Sequence, residues 1–310
     1  FVAPRIFIRT CYSLTKPTFN RLKLNLDKFL DTSLFCFSIA LLVALLPELF
    51  SRLEFDIYSK YFQNVLFVHF LQYGFSNFIL LLLFGGFEYQ VALRSTFLGY
   101  VVGVAITIFS IASPSWRMFG VYMAVIAIFH YTEFLAIAWT NPSSLSIDSF
   151  VLNHSVSYGI AACSSWIEFV IERYYFPEMK MASSVSYIGL ILSTLGELLR
   201  KSAMFTAKHN FNHIVQSAKK RNHELITHGI YGIFRHPSYV GWFYWAIGTQ
   251  LILQNPFCVL AYTVASWRFF HDRILIEEIT LLNFFGEAYA EYQGKVPTGL
   301  PFISGYKINL

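Results

Sequence analysis

Stretches of apolar residues long enough to cross a bilayer recur through the first two thirds of this sequence. Six of them lie at residues 30–50, 62–84, 90–112, 117–139, 152–176 and 184–205. A helix needs about 20 apolar residues to span the hydrocarbon core. Only 13% of the 310 residues are charged, whereas soluble domains average about 25%. The runs therefore predict an all-α fold, a polytopic bundle of transmembrane helices.

A further apolar region, 238–270, carries Asn255-Pro256 at its middle. A single helix of that length would overshoot the bilayer, and proline lacks the amide donor that a helix interior requires. The region therefore predicts a hairpin of two spans that turns at Asn255-Pro256, for about eight spans in total. Residues 271–295 mix charged and apolar residues at helical spacing. They predict a cytosolic or interfacial helix pair broken near Gly286.

Basic residues predict which side of the membrane each end occupies. They are concentrated in the arm 1–28 and again in 200–221, and basic segments beside spans face the cytosol. We therefore expect both termini and the C-terminal cap on the cytosolic side. The net charge of +5 is consistent with orientation in the membrane and contact with anionic lipid. No nucleic-acid partner is expected. We treat 1–310 as one membrane domain: the arm 1–28, six spans in 29–205, and a cofactor loop, hairpin and cap in 206–310.

Seven polar side chains fall inside the predicted spans: His69, Gln72, His130, Glu133, His154, Glu168 and Glu197. Because such groups are costly against lipid, they should face the bundle interior or lie near an interface. They could line a site for a polar substrate group or hydrogen-bond between helices, and the second role is the commoner one. His209 and His213 have the i,i+4 spacing of metal ligands. No third ligand of fitting type accompanies them, so we predict no metal.

The segment Arg235-His236-Pro237-Ser238-Tyr239 leads into the predicted hairpin. Proline suits the first turn of a helix, because the amide it lacks would be unpaired there. The preceding loop can aim backbone amides and His236 at a ligand beside the helix N-terminus, which favours a carboxylate or a phosphate. A membrane-boundary cap with an aromatic belt explains the same residues. The residues alone leave both interpretations open.

Arg273 and Glu277 lie four residues apart, on one face of a predicted helix. A solvated ion pair within the helix is the common explanation of such spacing. Arg273, however, lies close to the apolar boundary that ends near Phe270. An arginine there could bind the carboxylate of a half-buried lipidated molecule with its planar fork, and Glu277 could meet an ammonium or a ribose hydroxyl. No activated nucleophile, P-loop or Rossmann glycine motif is present in the sequence.

A dense set of motifs between 205 and 305 closely resembles the isoprenylcysteine carboxyl methyltransferase family of the endoplasmic reticulum. The motifs are His228-Gly-Ile-Tyr, Arg235-His-Pro-Ser-Tyr, Trp267-Arg-Phe-Phe-His-Asp-Arg, Glu277-Glu278 and Val296-Pro-Thr-Gly-Leu-Pro. The Arg-His-Pro-x-Tyr piece alone is weak, because other membrane methyltransferases and sterol reductases carry similar versions. The whole string is specific. The resemblance further points to an animal enzyme, with an insect as the narrower expectation.

This resemblance implies a reaction and a place in the cell. The family transfers a methyl group from S-adenosylmethionine, leaving S-adenosylhomocysteine, to the C-terminal carboxylate of a farnesylated or geranylgeranylated cysteine. Such cysteines end processed C-a-a-X proteins, among them small GTPases and lamins. The implied location is the endoplasmic reticulum membrane, with an active site facing the cytosol. Because a C-terminal carboxylate has a pKa of about 3.5, it is ionised at neutral pH and needs no general base for direct in-line transfer.

The resemblance also implies site residues. Arg273 matches the arginine that holds the substrate carboxylate, and is therefore the expected catalytic and substrate-binding residue. The expected cofactor-binding residues are Gln216, His223, Glu224, Leu225, Ile226, Tyr231, His236, Pro237, Ser238, Tyr239 and Glu277. One departure stands out, because the family commonly has a longer acidic run after this arginine, where this chain has Ile274-Leu275-Ile276. Glu277 keeps its place four residues after the arginine and is retained as the ligand.

Two other functions remain as alternatives. A sterol-reductase-like enzyme would bind and oxidise NADPH without transferring a methyl group. A lipid-binding or transport protein would use intramembrane polar residues as a pathway, here Glu133, His154 and Glu197. Its activity would not depend on Arg273.

Overall fold

The computed structural model describes residues 19–52, 65–152, 155–216, 218–219, 221 and 223–306. Within these ranges the regular secondary structure is entirely helical. The α-helices are α1 (Phe19–Arg52), α2 (Val65–Leu83), α3 (Gly86–Ile111), α4 (Pro114–Thr140), α5 (Val156–Tyr175), α6 (Ser184–Ala207), α7 (Pro237–Leu253), α8 (Pro256–Phe285) and α9 (Glu287–Lys295). Short 3₁₀ turns cover Pro142–Ser144, Ile147–Phe150, Pro177–Lys180, Lys208–Asn210 and Gly229–Gly232. The all-α prediction is confirmed.

Each predicted span coincides with one of the helices α1 to α8. Four segments of the described chain are long and apolar enough to cross a membrane: Asp27–Phe50, Gly86–Ile111, Pro114–Thr140 and Pro177–Asn210. Phe67–Leu83 is apolar but shorter. The protein is therefore a membrane protein, while the count of eight spans and the cytosolic side of the cap stay predictions.

The helices pack in two groups joined by α4. In one group α3 lies against both α1 and α4; in the other α7 lies against both α6 and α8. Helix α4 also contacts α6 and α7, which connects the two groups. The functional site forms in the second group, where α7 and α8 meet the chain that follows α6.

Helices α6 and α7 approach closely because glycines face each other across their interface. A Cβ atom added to Gly196 would lie 2.5 Å from the carbonyl oxygen of Gly241 and 2.7 Å from the amide nitrogen of Trp245. A Cβ atom added to Gly189 would lie 2.5 Å from the amide nitrogen of Ile252. Small residues at such positions let helix backbones come together inside a membrane, where water exclusion drives no association between helices. This contact holds α7 against α6, and the site lies where α7 begins.

The hairpin turn at Asn255-Pro256 is confirmed, and charged side chains cap both of its helices. Gln254 adopts a left-handed conformation and Pro256 is the first residue of α8. The fully buried ammonium of Lys180 donates to the carbonyl oxygens of Leu253, at 3.0 Å, and Gln254, at 2.9 Å. The carboxylate of Glu168 accepts from two amide nitrogens in the first turn of α8, both at 2.8 Å. A cation at a helix C-terminus and an anion at an N-terminus each match the helix dipole.

The helix pair predicted for 271–295 is present. Its first member continues the second helix of the hairpin, because α8 runs unbroken from Pro256 to Phe285. The physical reason is that no proline or glycine follows Pro256 until Gly286. Gly286 has φ of 55°, a left-handed value that glycine adopts at low cost. The predicted break at this residue is therefore confirmed, and α9 follows it.

The intramembrane polar residues that the structure describes meet partners within the protein; His154 lies outside the described residues. His69 pairs with the hydroxyl of Tyr100 at 2.8 Å, and Gln72 accepts from the same hydroxyl at 3.3 Å. His130 lies 2.9 Å from the hydroxyl of Tyr158. Glu168 caps α8. Glu133 and Glu197 belong to an ionic cluster between α4 and α6 described below. Contacts of this kind match the interhelical role expected for most of these residues.

The glycine contact yields a stability prediction. Gly196→Ala should destabilise the fold by about 1–3 kcal/mol, because the added methyl group forces the α6 and α7 backbones apart. Gly159→Ala in α5 is the matched control, since nothing lies within 4 Å of a Cβ atom there and alanine favours helix. Thermal unfolding in detergent should show a lower melting temperature for Gly196→Ala only. Equal melting temperatures for the two variants would contradict the packing argument.

Candidate active site

Arg235 anchors the N-terminus of α7 to the C-terminal end of the chain. Its guanidinium, almost fully buried, donates from Nε to Glu278 at 2.8 Å and from Nη2 to the carbonyl oxygen of Ser304 at 2.9 Å. Nη1 donates to the carbonyl oxygens of Gln293, at 3.1 Å, and Val296. A planar group with five donors can hold several chain segments at once. The start of α7 is therefore held by the C-terminal segment 293–306, here called the tail.

Glu278 is the acceptor at the centre of this arrangement and is fully buried. Besides Arg235, its carboxylate accepts from the amide of Gln293 at 2.9 Å and from the backbone nitrogen of Tyr306 at 2.7 Å. His236 lies 3.1 Å away through Nε2. Burial alone would raise the pKa of Glu278, but hydrogen bonds and charge from His236 and Arg235 hold that pKa below its ordinary value. Glu278 is therefore an ionised structural centre.

A cleft of about 100 Å³ opens in front of α7, here called the loop cleft. The chain after α6 forms one wall, the first turn of α7 the floor, and the outer part of α8 the opposite wall. Its lining comprises Asn210, Phe211, Asn212, Ile214, Val215, Gln216, His223, Tyr231, Arg235, His236, Pro237, Ser238, Tyr239, Glu277, Thr280, Leu281 and Phe284. Burial, and then the charge of Glu277, raises the pKa of Tyr231. That phenol therefore remains a hydrogen-bond donor at neutral pH.

The hydroxyl of Tyr239 bridges Arg273 and Glu277. It accepts from Arg273 Nε at 2.9 Å and donates to Glu277 Oε2. Arg273 also donates from Nη2 to the carbonyl oxygen of His213. Among the described residues, the guanidinium of Arg273 thus forms hydrogen bonds through Nε and Nη2. Tyr239 of α7 therefore holds both Arg273 and Glu277 of α8.

Two further cavities continue inward from the loop cleft. The first, a narrow junction cavity of about 20 Å³, is lined by Arg273 and shares Phe211, Asn212, Ser238 and Tyr239 with the cleft. The second, an apolar cavity of about 370 Å³, lies between α3, α4, α5, α7 and α8. It shares Trp242, Phe269 and Phe270 with the junction cavity. Arg273 therefore lies between a cleft rich in polar groups and an apolar cavity within the bundle.

Comparisons with known proteins place this arrangement in a family. A profile of the isoprenylcysteine carboxyl methyltransferase family matches residues 188–283. A protein-S-isoprenylcysteine O-methyltransferase of Tribolium castaneum is 56% identical over 231 residues, 74% of this chain and 82% of that protein. The protein of that name from Homo sapiens is 54% identical over 234 residues, 76% of this chain and 82% of its own length. The chain belongs to the isoprenylcysteine carboxyl methyltransferase family.

A solved structure agrees with this family membership. It is described as the eukaryotic intramembrane Ras methyltransferase, an isoprenylcysteine carboxyl methyltransferase, and matches with a TM-score of 0.85 at 49% identity. The match covers 90% of this chain and 99% of that one. The resemblance stated from the sequence is thus confirmed, with an insect protein among the relatives. The chain is an integral membrane methyltransferase.

The structure brings most of the residues expected from the family motifs to one place. Eight of the eleven cofactor-binding candidates line the loop cleft: Gln216, His223, Tyr231, His236, Pro237, Ser238, Tyr239 and Glu277. Arg273 lines the adjoining junction cavity. Glu224, Leu225 and Ile226 do not line the cleft; the backbone nitrogen of Glu224 instead donates to Asn210 at 2.9 Å. Glu224 is thereby bonded to a residue that lines the cleft. The ligand contacts of all these residues stay predictions.

Several lining residues were absent from the sequence-based set. Thr280, Leu281 and Phe284 line the cleft, and they follow Glu277 by three, four and seven residues. That spacing marks one face of a helix, so Glu277 alone could have indicated them. Asn210 and Asn212 carried no comparable signal, because they lie in irregular chain whose path depends on tertiary contacts. Within the described ranges, His, Cys, Asp and Glu form no group of three or more arranged to hold a metal ion.

Glu278→Gln tests the structural centre of the site. The amide would leave Arg235 without its carboxylate, and breaking a buried pair costs about 3–5 kcal/mol. Because the folded-state pKa of Glu278 is lowered, its stabilising charge is present above the unfolded value of 4.5 and is lost as pH falls through the folded value. The melting temperature of Glu278→Gln should therefore be lower than that of the parent protein at pH 7, and this difference should shrink below about pH 4.5.

Glu291→Gln is the matched control for this experiment. It removes an exposed carboxylate on α9 that pairs with Lys295 at 2.5 Å, and such pairs contribute little. Its melting temperature should stay within the error of the parent value. A Glu278→Gln protein as stable as Glu291→Gln at pH 7 would show that Glu278 is not the centre of this fold.

Proposed function

We propose that this protein methylates the C-terminal carboxylate of prenylated cysteines in processed C-a-a-X proteins, with S-adenosylmethionine as the methyl donor. Small GTPases and lamins are the expected protein substrates. The observation that carries the proposal is the continuous series of cavities. A cleft with polar walls meets an apolar cavity at a single junction, and Arg273 lines that junction. A molecule with a carboxylate on a lipid chain fits this geometry.

The loop cleft has side chains suited to S-adenosylmethionine. This donor carries a positively charged sulfonium and an ammonium, a carboxylate, a ribose and an adenine ring. Glu277 offers an anion for a cationic group or a ribose hydroxyl, and Asn210, Asn212 and Gln216 offer amides. Tyr231 and Phe284 offer aromatic surfaces to a ring. When bound, the donor supplies an activated methyl group, which is why the protein itself needs no nucleophile.

Arg273 would hold the acceptor carboxylate. Its Nε and Nη2 are fixed by Tyr239 and His213, so Nη1 has a defined direction before substrate arrives. A group fixed in this way loses little freedom on binding. The carboxylate is ionised at neutral pH, and one oxygen held by the guanidinium leaves the second oxygen as the attacking atom. The buried aromatic side chains around the junction exclude water, which strengthens these contacts.

The apolar cavity would accept the prenyl chain. Its share of α8 extends from Phe270 to Tyr262, and its share of α7 from Trp242 to Thr249. At 1.5 Å per residue, these stretches run about 10–12 Å along the helices. Trp242 and Trp245 belong to this lining, so they are proposed as walls of the prenyl site and not only as interface anchors. The lipid would enter from the bilayer and the donor from the aqueous side.

Location and orientation follow from the same geometry. We place the protein in the endoplasmic reticulum membrane, with both termini and the loop cleft on the cytosolic side. The basic residues of 1–28 and 200–221 support this orientation. A cytosolic cleft would meet both the soluble donor and the processed C-terminus of a cytosolic protein.

The alternatives have less support. A transport pathway would need its polar residues in contact along the bundle, but Glu133 and Glu197 are held by Arg200, Lys201 and Thr132. A sterol-reductase-like function would leave no role for a guanidinium fixed between a polar cleft and an apolar cavity. Relatives named as methyltransferases at 54–56% identity favour the proposed activity.

Methyl transfer itself is the first test. Purified protein in detergent should convert N-acetyl-farnesylcysteine and radiolabelled S-adenosylmethionine into a base-labile methyl ester. Farnesylcysteine already methylated at its carboxylate is the matched negative control, because it lacks the accepting oxygen. NADPH with a sterol substrate should give no oxidation. A parent protein that forms no ester above background would overturn the proposed function.

Arg273 and Glu277 should affect different substrates. Arg273→Lys should raise KM for the prenylcysteine by about 10–100-fold, because an ammonium cannot replace the planar fork. Glu277→Gln should weaken binding of S-adenosylhomocysteine by a similar factor. Tyr239→Phe should change both, since its hydroxyl contacts both side chains.

Arg268→Lys is the control for this division. Arg268 is exposed on the same helix and lines none of the three cavities. Its kinetics and cofactor affinity should match those of the parent. Steady-state kinetics with calorimetric binding would separate the effects, and unchanged cofactor affinity in Glu277→Gln would refute its assigned role.

A further inference from the structure

A buried ionic cluster adjoins the site, and two of its members, Arg200 and His213, line the junction cavity. Its centre is the carboxylate of Glu133 in α4, which is fully buried. Arg200 of α6 donates to both of its oxygens at 2.7 Å, from Nε and from Nη2. Lys201 donates to Oε1 and also lies 3.2 Å from Glu197. A bidentate pair of this kind has a defined geometry, so the position of Glu133 determines the position of Arg200.

One branch of the cluster leads to the loop cleft. Arg200 Nη1 donates to the hydroxyl of Ser238 at 2.6 Å, and Ser238 lines both the loop cleft and the junction cavity. Arg200 is itself buried, with its guanidinium 4.6 Å from the ring centre of Trp242. The first turn of α7, which forms the cleft floor, is therefore tied to α4 through one arginine.

A second branch leads to Arg273. Nε2 of His213 lies 2.7 Å from Glu133 Oε2, and the carbonyl oxygen of His213 accepts from Arg273 Nη2. His213 lies in irregular chain after the 3₁₀ turn Lys208–Asn210. Such chain has no ladder of backbone hydrogen bonds to fix it, so side-chain contacts hold it in place. Asn141 donates to the carbonyl oxygen of Phe211 at 3.0 Å, and Glu133 holds His213 itself.

From these two branches we propose that Glu133 is a positioning residue for methyl transfer. It touches neither substrate. Through Arg200 it fixes Ser238 at the donor cleft, and through His213 it fixes the carbonyl that orients Arg273. One carboxylate thereby sets the distance between the donor site and the acceptor site. The inference rests on the proposed function, because it assigns the two ends of the network to donor and acceptor.

A purely structural role is the competing explanation, since any broken buried ion pair destabilises a protein. The chain offers a comparison. Lys180 and Glu172 form another buried pair at 2.6 Å, next to the hairpin turn that follows Leu253. The 17 residues of α7 separate that turn from the loop cleft, about 25 Å along the helix. Glu172→Gln therefore removes the partner of a buried ammonium at a position that lines none of the three cavities.

The decisive variant is Glu133→Asp, which keeps the negative charge of the cluster but changes its position. Glu133→Asp retains the anion that Arg200 and Lys201 need, but withdraws it by one methylene group. We expect a melting temperature within the range of Glu172→Gln, KM for N-acetyl-farnesylcysteine raised on the order of tenfold, and S-adenosylhomocysteine bound on the order of tenfold more weakly. Glu172→Gln should keep both parent values. Parent values for both quantities in Glu133→Asp would overturn the proposal.

The second branch can be tested separately. His213→Ala should raise KM for the prenylcysteine on the order of tenfold and leave S-adenosylhomocysteine binding within about twofold. In an Arg273→Lys background the same change should cost little more, because the contact it supports is already lost. Additive effects of the two changes would show that His213 does not act through Arg273. If the parent protein transfers no methyl group, the proposed function is wrong. The first branch can still be tested in that case, because Glu133→Asp should weaken the binding of S-adenosylhomocysteine.

Discussion

The buried carboxylate of Glu278 is the interaction on which the site depends. It receives Arg235 and His236 from the start of α7 and the backbone of Tyr306 from the tail. These contacts bring together chain segments that are far apart in sequence. Because Glu278 directly follows Glu277, the same turn of α8 carries both carboxylates. Glu277 lines the loop cleft, and Glu278 is buried among its structural partners. The fold of the tail and the shape of the cleft are therefore not independent.

The parts of this fold that depend on local pattern could be predicted from the sequence. Apolar runs indicated the helices, and Asn255-Pro256 indicated the hairpin turn. The i,i+4 spacing placed Arg273 and Glu277 on one face. Helical spacing also predicted a helix in 271–285, and because nothing in these residues interrupts a helix, they continue α8. Helix continuity follows from backbone constraints, and polarity reports only the surroundings.

Contacts between distant segments could not be predicted in that way. Glu133 and Arg200 are 67 residues apart, and nothing in either neighbourhood identifies the other as its partner. The bridge from Tyr239 to Arg273 likewise depends on how α7 lies against α8. The family motifs supplied the members of the site but not their connections. They named Glu224 to Ile226 as cofactor-binding residues, which stays a prediction, and they did not include Asn210 and Asn212, which line the cleft.

The unbroken course of α8 explains how one site can serve two phases. Its 30 residues extend about 45 Å, longer than the hydrocarbon core of a bilayer. Tyr262, Phe269, Arg273, Glu277 and Phe284 thus follow one another from the apolar cavity to the loop cleft on a single rigid element. A hinge within α8 would let Arg273 move relative to the loop cleft. A continuous helix, anchored at Glu278 and bridged to α7 by Tyr239, keeps Arg273 and the loop cleft at a fixed separation.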